Sequence, residues 1–543
     1  MDARTRLTEM RAVERLAALD AGLFADPAVA AERLGWIGLP ARAAAGAAAL
    51  SELAEQVRGG AITDVVLLGM GGSSLAPLVL SRVIGNATGS PTLHVLDSTN
   101  PVQVDTLLKR LWPASTLAIV SSKSGATIEP LSLAAIFRSW MDPLLGEAAG
   151  LHFVAITDPG SPLEAYAAQH GFAAVFHAPA DVGGRYAALT PFAMVPSALI
   201  GIDTGALAAR GLACEDACRV DDEANPGAAL AAWLVDAYES GRDKLTIVAS
   251  EPYAPFGLWV EQLVAESTGK DGRGLLPVLE DAPGNPAAHG RDRLVFVLRT
   301  PKDDSLAALP SWLPSDTPVL EVVLDDPYDL GAEFVRWEWA TALFSAAVGI
   351  EPFDQPNVAV AKAATDAILS GERRAPAPDL HQGQIAITAD LAAGAHSEVS
   401  SLASALEFLL AGADPDDYLA LLAYLPEDEQ LLAPLYDACA AVAASRRMAV
   451  TLEIGPRYLH STGQYHKGGP ATGRFLVVTS RDEVGPTVPG KPYTLAQLHR
   501  AQAEGDFVTL AEAGRPVVRV DLPEADPAPI RMLAETLRGA VGR

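Results

Sequence analysis

Residues 116–140 read TLAIVSSKSGATIEPLSLAAIFRSW, and three kinds of chemistry meet there. TLAIV is an apolar, partly β-branched run of the kind that makes a buried strand. LSLAAIFRSW has helical spacing. Between them lie the hydroxyls of Ser121, Ser122, Ser124 and Thr127, the ammonium of Lys123, and Gly125. A strand that feeds a helix through such a loop is half of a βα unit. The helix it opens presents unpaired N–H groups and the positive end of its dipole. Small donors, one ammonium and a helix N-terminus together suit a dianionic phosphate.

The same alternation extends outward. VVLLG (65–69), TLHVLD (92–97) and HFVAITD (152–158) read as further strands with helical stretches between them. That order predicts a parallel, doubly wound sheet with helices on both faces. A second series follows in KLTIVAS (244–250), RLVFVLRT (293–300) and PVLEVVLDD (318–326). After the Pro-rich RRAPAPDL (373–380) comes a third: QIAITAD (384–390), YLALLAYL (418–425), RFLVVTS (474–480) and RPVVRVDLP (515–523). The expected organisation is an N-terminal helical segment (1–58), a first α/β domain (59–225), a second (226–372) and a smaller C-terminal α/β segment (373–543).

The chain has 543 residues, too many for one ordinary core. It carries 40 basic and 67 acidic residues, a formal net charge of −27. Such a surface repels nucleic acid and anionic lipid, so neither is an expected partner, and a site for an anion must be locally basic. Cys214, Cys218 and Cys439 make no disulfide framework and no zinc site, which fits a reducing, cytoplasmic setting. The N-terminus, MDARTRLTEMRAVERLAAL, lacks the apolar core of a signal peptide. No apolar window reaches the length of a membrane span.

A second loop of unusual composition, GMGGSSLAP (69–77), follows the first strand. Its glycines let the backbone approach an anion, with Gly71, Gly72 and Ser73 as the contacts, and Ser73 and Ser74 can donate or cap. A dinucleotide fingerprint would need a third glycine where Ser74 stands, and a P-loop would need Gly-Lys-Ser/Thr. The competing reading is that Ser73, Ser122 and Thr127 only cap helices. Two such loops in one series of α/β units favour phosphate.

GMGGSS followed by SSKSGATIEP resembles the sugar isomerase (SIS) fold of the phosphoglucose isomerase family. The resemblance implies that Ser122, Lys123, Ser124 and Thr127 hold a substrate phosphate, with Ser73 from the first loop. Three more stretches carry it. GGRYAALTPF places Arg185 where the family has an arginine near the reacting carbons. AESTGKDGRG (265–274) is similar to the family's E-S-N/T-G-K segment. GIEPFDQPNVAVAK (349–362) is similar to its FDQ…K motif and sets Gln355 and Lys362 seven residues apart. Further on, GPRYLHSTGQYHKGGPATGRF (455–475) resembles the isomerase half of bifunctional transaldolase–phosphoglucose isomerase proteins. The implied fold is α/β, two doubly wound SIS domains plus the C-terminal segment. The implied activity is interconversion of glucose 6-phosphate and fructose 6-phosphate, by a free-standing isomerase of that lineage. No cofactor or metal is called for, and a homodimer is expected from the resemblance.

Such an isomerisation opens the sugar ring and then moves a proton between C2 and C1 through a cis-enediol. The resemblance gives ring opening to Lys362, a positioning role to Gln355, and enediolate stabilisation to Arg185, a permanently charged guanidinium able to bridge adjacent oxygens. The base is open between two residues, because PVLEDAPG departs from the family's G-E-P-x-G. Chain spacing favours Asp281; residue type and reach favour Glu280. Glu266 is a third carboxylate, whose counterpart in the E-S-x-G-K segment is not read as the base. The assisting histidine is His466 of HKGGP, with His460 as the second choice; Lys467 would depress His466 if its ammonium pointed the same way. Two other functions stay open: a non-catalytic sugar-phosphate sensor, on account of the altered 278–284 stretch, and an isomerase that also accepts mannose 6-phosphate.

Overall fold

The computed structural model describes residues 2–280, 289–391, 399–481 and 485–541, so Asp281 lies outside the described residues. The first sheet comprises β1 (Asp64–Leu68), β2 (Thr92–Leu96), β3 (Thr116–Ser121), β4 (Phe153–Thr157) and β5 (Ala174–His177). Its order is β2-β1-β3-β4-β5, and every neighbouring pair is parallel. The order reverses between β1 and β3. In open parallel sheets a ligand crevice opens beyond the carboxyl ends of the two strands at such a switch point. The two loops singled out from sequence are the loops that leave β1 and β3.

The second sheet comprises β6 (Lys244–Ala249), β7 (Leu276–Glu280), β8 (Arg293–Arg299) and β9 (Val319–Val323) in the order β7-β6-β8-β9, again all parallel. The third comprises β10 (Leu380–Gln382), β11 (Ile385–Asp390), β12 (Tyr418–Tyr424), β13 (Ala449–Ile454), β14 (Gly473–Ser480) and β15 (Val517–Leu522). Its order is β10-β11-β15-β14-β12-β13, with β10 and β11 antiparallel to their neighbours and the rest parallel.

All the strands read from sequence are present. Four others, β5, β7, β10 and β13, had no clear signal. β7 contains Pro277, which a sheet tolerates here because β7 is an edge strand. β13, AVTLEI, turns Thr451 and Glu453 inward, so its buried face does not read as apolar.

One core joins the N-terminal helices to the first two sheets, through Leu7, Trp36, Leu67, Trp259, Phe296 and Trp337. The helix Leu330–Val348 is apolar almost all round, and it is buried accordingly. The third sheet has one face covered by its own helices. Its other face, with Tyr418, Leu422 and Phe475, packs on Ala265, Leu276 and Val278 of the second unit. The helix Leu495–Glu512 of the third unit also sends Leu495 and Leu498 into the core of the first, against Val104 and Phe137. The C-terminal segment therefore sits on both SIS units beside their strand ends. Among the described residues no helix is long and apolar enough to cross a membrane.

Gly269 marks how close that docking is. A Cβ there would lie 2.4 Å from the Tyr465 Cα and 2.8 Å from the Ala265 carbonyl oxygen. Gly269→Ala is expected to lower stability by about 1–3 kcal/mol, read as a fall in melting temperature. Gly46→Ala, in a helix where a Cβ meets nothing within 4 Å, is expected to raise it slightly. Equal effects at the two positions would contradict the docking described.

Candidate active site

The loop after β3 opens the helix Ile128–Leu145, with Thr127 at its N-cap position. Thr127 makes no side-chain cap; its hydroxyl pairs with Ser122 Oγ at 2.9 Å. Ser74, at the start of the helix Leu75–Val83, likewise turns away and donates to the Gly71 carbonyl at 3.2 Å. The helix-capping reading of these hydroxyls does not hold for either loop. Ser124 is exposed, and its Oγ accepts from the Ala126 N–H at 3.3 Å. Lys123 lies beside the loop and is already paired. Its Nζ is 2.6 Å from Asp158 Oδ2 and 3.1 Å from the Ala180 carbonyl. Burial raises Asp158 more than Lys123 lowers it.

The loop after β1 is built for close approach. Gly71 has φ +53°, and a Cβ on it would lie 2.7 Å from Gln262 Nε2 and 2.9 Å from the His460 carbonyl. A Cβ on Gly72 would fall 2.0 Å from the Gly184 carbonyl. Neither position has room for a side chain. The loop therefore meets three other segments: the GGRY turn, the helix Phe256–Thr268, and the turn Arg457–His460.

Gln262 and Glu266 stand one turn apart on that helix and so share a face. Gln262 Nε2 donates to the His460 carbonyl at 2.8 Å and to Glu266 Oε2 at 3.3 Å. Glu266 Oε1 is 3.4 Å from Arg185 Nη1. Arg185 is 3% exposed. It donates from Nε to Ser267 Oγ at 2.9 Å, from Nη1 to Gln355 Oε1 at 2.9 Å, and from Nη2 to the carbonyls of Pro352 and Asp354 at 2.5 and 2.9 Å. The guanidinium thus holds the FDQ loop and stands as a fixed charge beside Glu266. Its forks are spent on protein groups rather than open to bridge two substrate oxygens. Lys270 ties down the same loop, with Nζ 2.7 Å from Asp354 Oδ1 and bonded to the Glu351 carbonyl. Burial, and then the Arg185 charge, depress Lys270 to about 8.

The third corner is Glu129, in the first turn of the phosphate-loop helix and 4% exposed. Its Oε1 is 3.0 Å from His460 Nε2 and accepts from Gln502 Nε2 at 2.8 Å. Burial pushes Glu129 upward, but His460 and the Lys362 charge outweigh it and hold the carboxyl below its ordinary value. Lys362 is exposed, on the helix Pro356–Leu369 that the FDQ loop begins. Arg457 fixes the His460 turn to the first unit, with Nε and Nη2 2.8 and 2.9 Å from the two oxygens of Asp97.

Two residues expected at the site from sequence have other partners in the structure. His466 is fully buried in the third unit, its Nε2 3.0 Å from Glu453 Oε2 and its Nδ1 3.0 Å from the Tyr418 hydroxyl. Both ring nitrogens are engaged there, while His460 reaches the phosphate-loop helix. Lys467 points elsewhere, to Asp506 at 2.5 Å. Glu280, at the end of β7, faces His289 at 3.3 Å and Arg293 at 3.8 Å. The carboxylate beside Arg185 is Glu266. Sequence reading also passed over Glu129, although it lies inside SSKSGATIEP. A glutamate in a helix's first turn reads as dipole compensation, and nothing local reveals the histidine facing it from residue 460.

At the switch point, the loops that leave β1 and β3 lie with an arginine–glutamate pair and a histidine–glutamate pair on a double SIS fold. The comparisons with known proteins agree. Residues 40–271 match the family model for phosphoglucose isomerase. A probable glucose-6-phosphate isomerase of Haloarcula marismortui is 31% identical over 352 residues, 57% of this chain and 78% of its own length. A glucose-6-phosphate isomerase of Rubrobacter xylanophilus is 30% identical over 262 residues. That match covers 46% of this chain and only 60% of the relative. The crystal structure of a hypothetical protein from Thermus thermophilus superposes with a TM-score of 0.56 at 26% identity, over 68% of this chain and 97% of its own. The chain belongs to the phosphoglucose isomerase family.

Glu261, on the site helix, tests the buried electrostatics. It is 9% exposed, takes a hydrogen bond from Ser461 Oγ at 2.8 Å, and is pushed up to about 8 by burial and by the Glu453 charge. A carboxyl raised on folding binds more protons in the native state between its unfolded pKa, near 4.5, and about 8. Its penalty is therefore absent below that window and complete above it. Glu261→Gln is expected to gain stability relative to the parent as pH rises from 5 to 8.5, in urea or thermal melts. A difference that does not change with pH would contradict the burial argument.

Proposed function

We propose that the protein is an aldose–ketose isomerase that interconverts glucose 6-phosphate and fructose 6-phosphate. The observation that carries the reading is the pairing of Glu266 with the buried Arg185 charge at 3.4 Å, beside the loops that leave β1 and β3. The phosphate binds at the N-terminus of the helix Ile128–Leu145, with Ser122, Ser124, Thr127 and Ser73 as donors and Gly71 and Gly72 giving backbone access. Lys123 supplies positive charge there while tethered to Asp158. Family membership supports the assignment, and the substrate is a small sugar phosphate.

The proton steps divide between the two carboxylates. His460, facing Glu129, which also feels the Lys362 charge, passes protons between the ring oxygen and the C1 hydroxyl to open the ring. Glu266 then takes the C2 proton of the open-chain aldose, the electron pair forms the C1–C2 double bond and places charge on O1 as the cis-enediolate, the hydroxyl proton passes from O2 to O1, and Glu266 returns its proton to C1. Arg185 stabilises the negative charge that develops, and it needs no reorganisation because its side chain is pinned. Gln355, exposed and bonded to Arg185, is placed to meet a substrate hydroxyl. With Glu266 as base, the altered 278–284 stretch no longer argues for a non-catalytic sensor.

The homodimer expected from the resemblance is retained as part of this proposal, although His460 reaches the site from the same chain. A cytoplasmic setting is supported by the three free thiols Cys214, Cys218 and Cys439.

Turnover of fructose 6-phosphate, followed by coupled detection of glucose 6-phosphate, tests the roles. Glu266→Gln is expected to lose roughly 10²–10⁴-fold in kcat, the range for a general base. His460→Asn and Lys362→Ala are expected to lose turnover with the cyclic substrate and to spare the open-chain form, and Glu280→Gln to stay near the parent. Loss in Glu280→Gln with Glu266→Gln intact would reverse the assignment of the base. An inactive parent that binds 6-phosphosugars would point to a sensor.

A further inference from the structure

Glu129 is held by more than His460. A run of buried polar groups reaches it from the C-terminal unit and from the loop after β2. His499 Nδ1 lies 3.0 Å from Thr99 Oγ1, Thr99 Oγ1 donates to Gln502 Oε1 at 2.6 Å, and Gln502 Nε2 donates to Glu129 Oε1 at 2.8 Å. Thr99, Gln502 and His499 are at most 2% exposed.

The proton inventory fixes the Gln502 and Thr99 directions in this run. An ionised Glu129 can only accept, so the Gln502 amide must turn its NH₂ toward it. Gln502 Oε1 then faces Thr99 and can only accept, so the Thr99 hydroxyl gives up its single proton. The Thr99 oxygen is left as an acceptor, and the His499 tautomer that serves it carries its proton on Nδ1. His499 suits that role because burial depresses it to about 4, leaving a neutral ring. The run therefore reads as one set of donors, all pointing toward Glu129 Oε1. His460 Nε2 addresses the same oxygen at 3.0 Å. Oε2 is the oxygen that neither donor engages.

We propose that Thr99 and Gln502 are positioning residues for the isomerisation, oriented by His499, which fix Glu129 as an acceptor on Oε1 and turn Oε2 toward the substrate. The proposal deepens the isomerase reading and rests on it. It gives the C-terminal unit a second task beyond delivering His460, and it makes the DSTN loop (97–100) a two-pronged clamp. Asp97 holds the His460 turn through Arg457, and Thr99 holds the Gln502 amide. The charged and titratable groups that face Glu129 are His460, Lys362, Tyr424 and Tyr493. A change confined to Thr99 or Gln502 leaves all four in place.

The test compares Thr99→Val, Thr99→Ser and Gln502→Glu with the parent, using kcat, KM and the pH dependence of kcat/KM for fructose 6-phosphate. Thr99→Val keeps the shape and removes the donor, so the amide loses its preferred direction. The expected result is a fall in kcat of about five- to tenfold, on the scale of one lost hydrogen bond, with KM little changed and the acid limb moved to higher pH. Gln502→Glu sets a second carboxyl against Oε1 and should move the acid limb further the same way. Thr99→Ser restores the hydroxyl and should return both readouts toward the parent. An active parent whose acid limb stays in place in Thr99→Val and Gln502→Glu would overturn the positioning role and leave the isomerase reading standing. An inactive parent would instead remove the reading beneath it.

Discussion

The structure depends on one seam, where the Arg457–His460 turn of the C-terminal unit closes over the glycines that leave β1. The His460 carbonyl takes the Gln262 amide at 2.8 Å, and its ring reaches Glu129 at 3.0 Å. Gly71 must be a glycine because that carbonyl stands where a Cβ would be. The seam is held from the other side by the two Arg457–Asp97 hydrogen bonds, largely out of water, where a two-pronged charged pair gives direction as well as attraction. Three units of the chain meet at this place, and each contributes what the other two lack. The first gives a helix N-terminus and Glu129, the second Glu266, and the third a histidine.

That division accounts for the placement of charge. A protein with a net charge of −27 still gathers positive charge at this place. It does so with Arg185 and Lys123 set into pockets of protein oxygen near the phosphate loops, with Lys362 on an exposed helix face, rather than with a broad basic surface. The cost of burying Arg185 is offset by carbonyls, a glutamine, a serine and Glu266 around it, which also make it rigid. A rigid cation next to a carboxylate can stabilise developing charge without moving, which is how preorganised sites gain rate.

Much of this was legible in the chain itself. The alternation of apolar runs gave the strands, and the composition of GMGGSS and SSKSGATIEP marked the two loops at the switch point. The GGRY and FDQ motifs marked Arg185 and Gln355, which the fold brings together, and Lys362 lies on the helix that follows. What could not be read was anything that depends on contact between distant segments. His460 and His466 lie six apart in one Gly-rich stretch, and only packing decides that one faces Glu129 and the other Glu453. Glu280 had the right residue type at a strand end, but its partners are His289 and Arg293. Glu266 was passed over on a family argument, although its place one turn from Gln262 on a helix gave it a shared face with the site.

The central claim is that one chain builds the whole site, with the C-terminal unit supplying the histidine in cis. Complementation between two impaired variants tests it most directly. Glu266→Gln and His460→Asn would be co-expressed, or unfolded and refolded together, and the mixture assayed for isomerase turnover. If both residues serve the site of their own chain, every chain in the mixture carries one lesion, and activity should equal the average of the two variants alone. If the histidine serves the partner subunit's site, mixed dimers would contain one site with both residues intact, and activity well above that average would contradict the account.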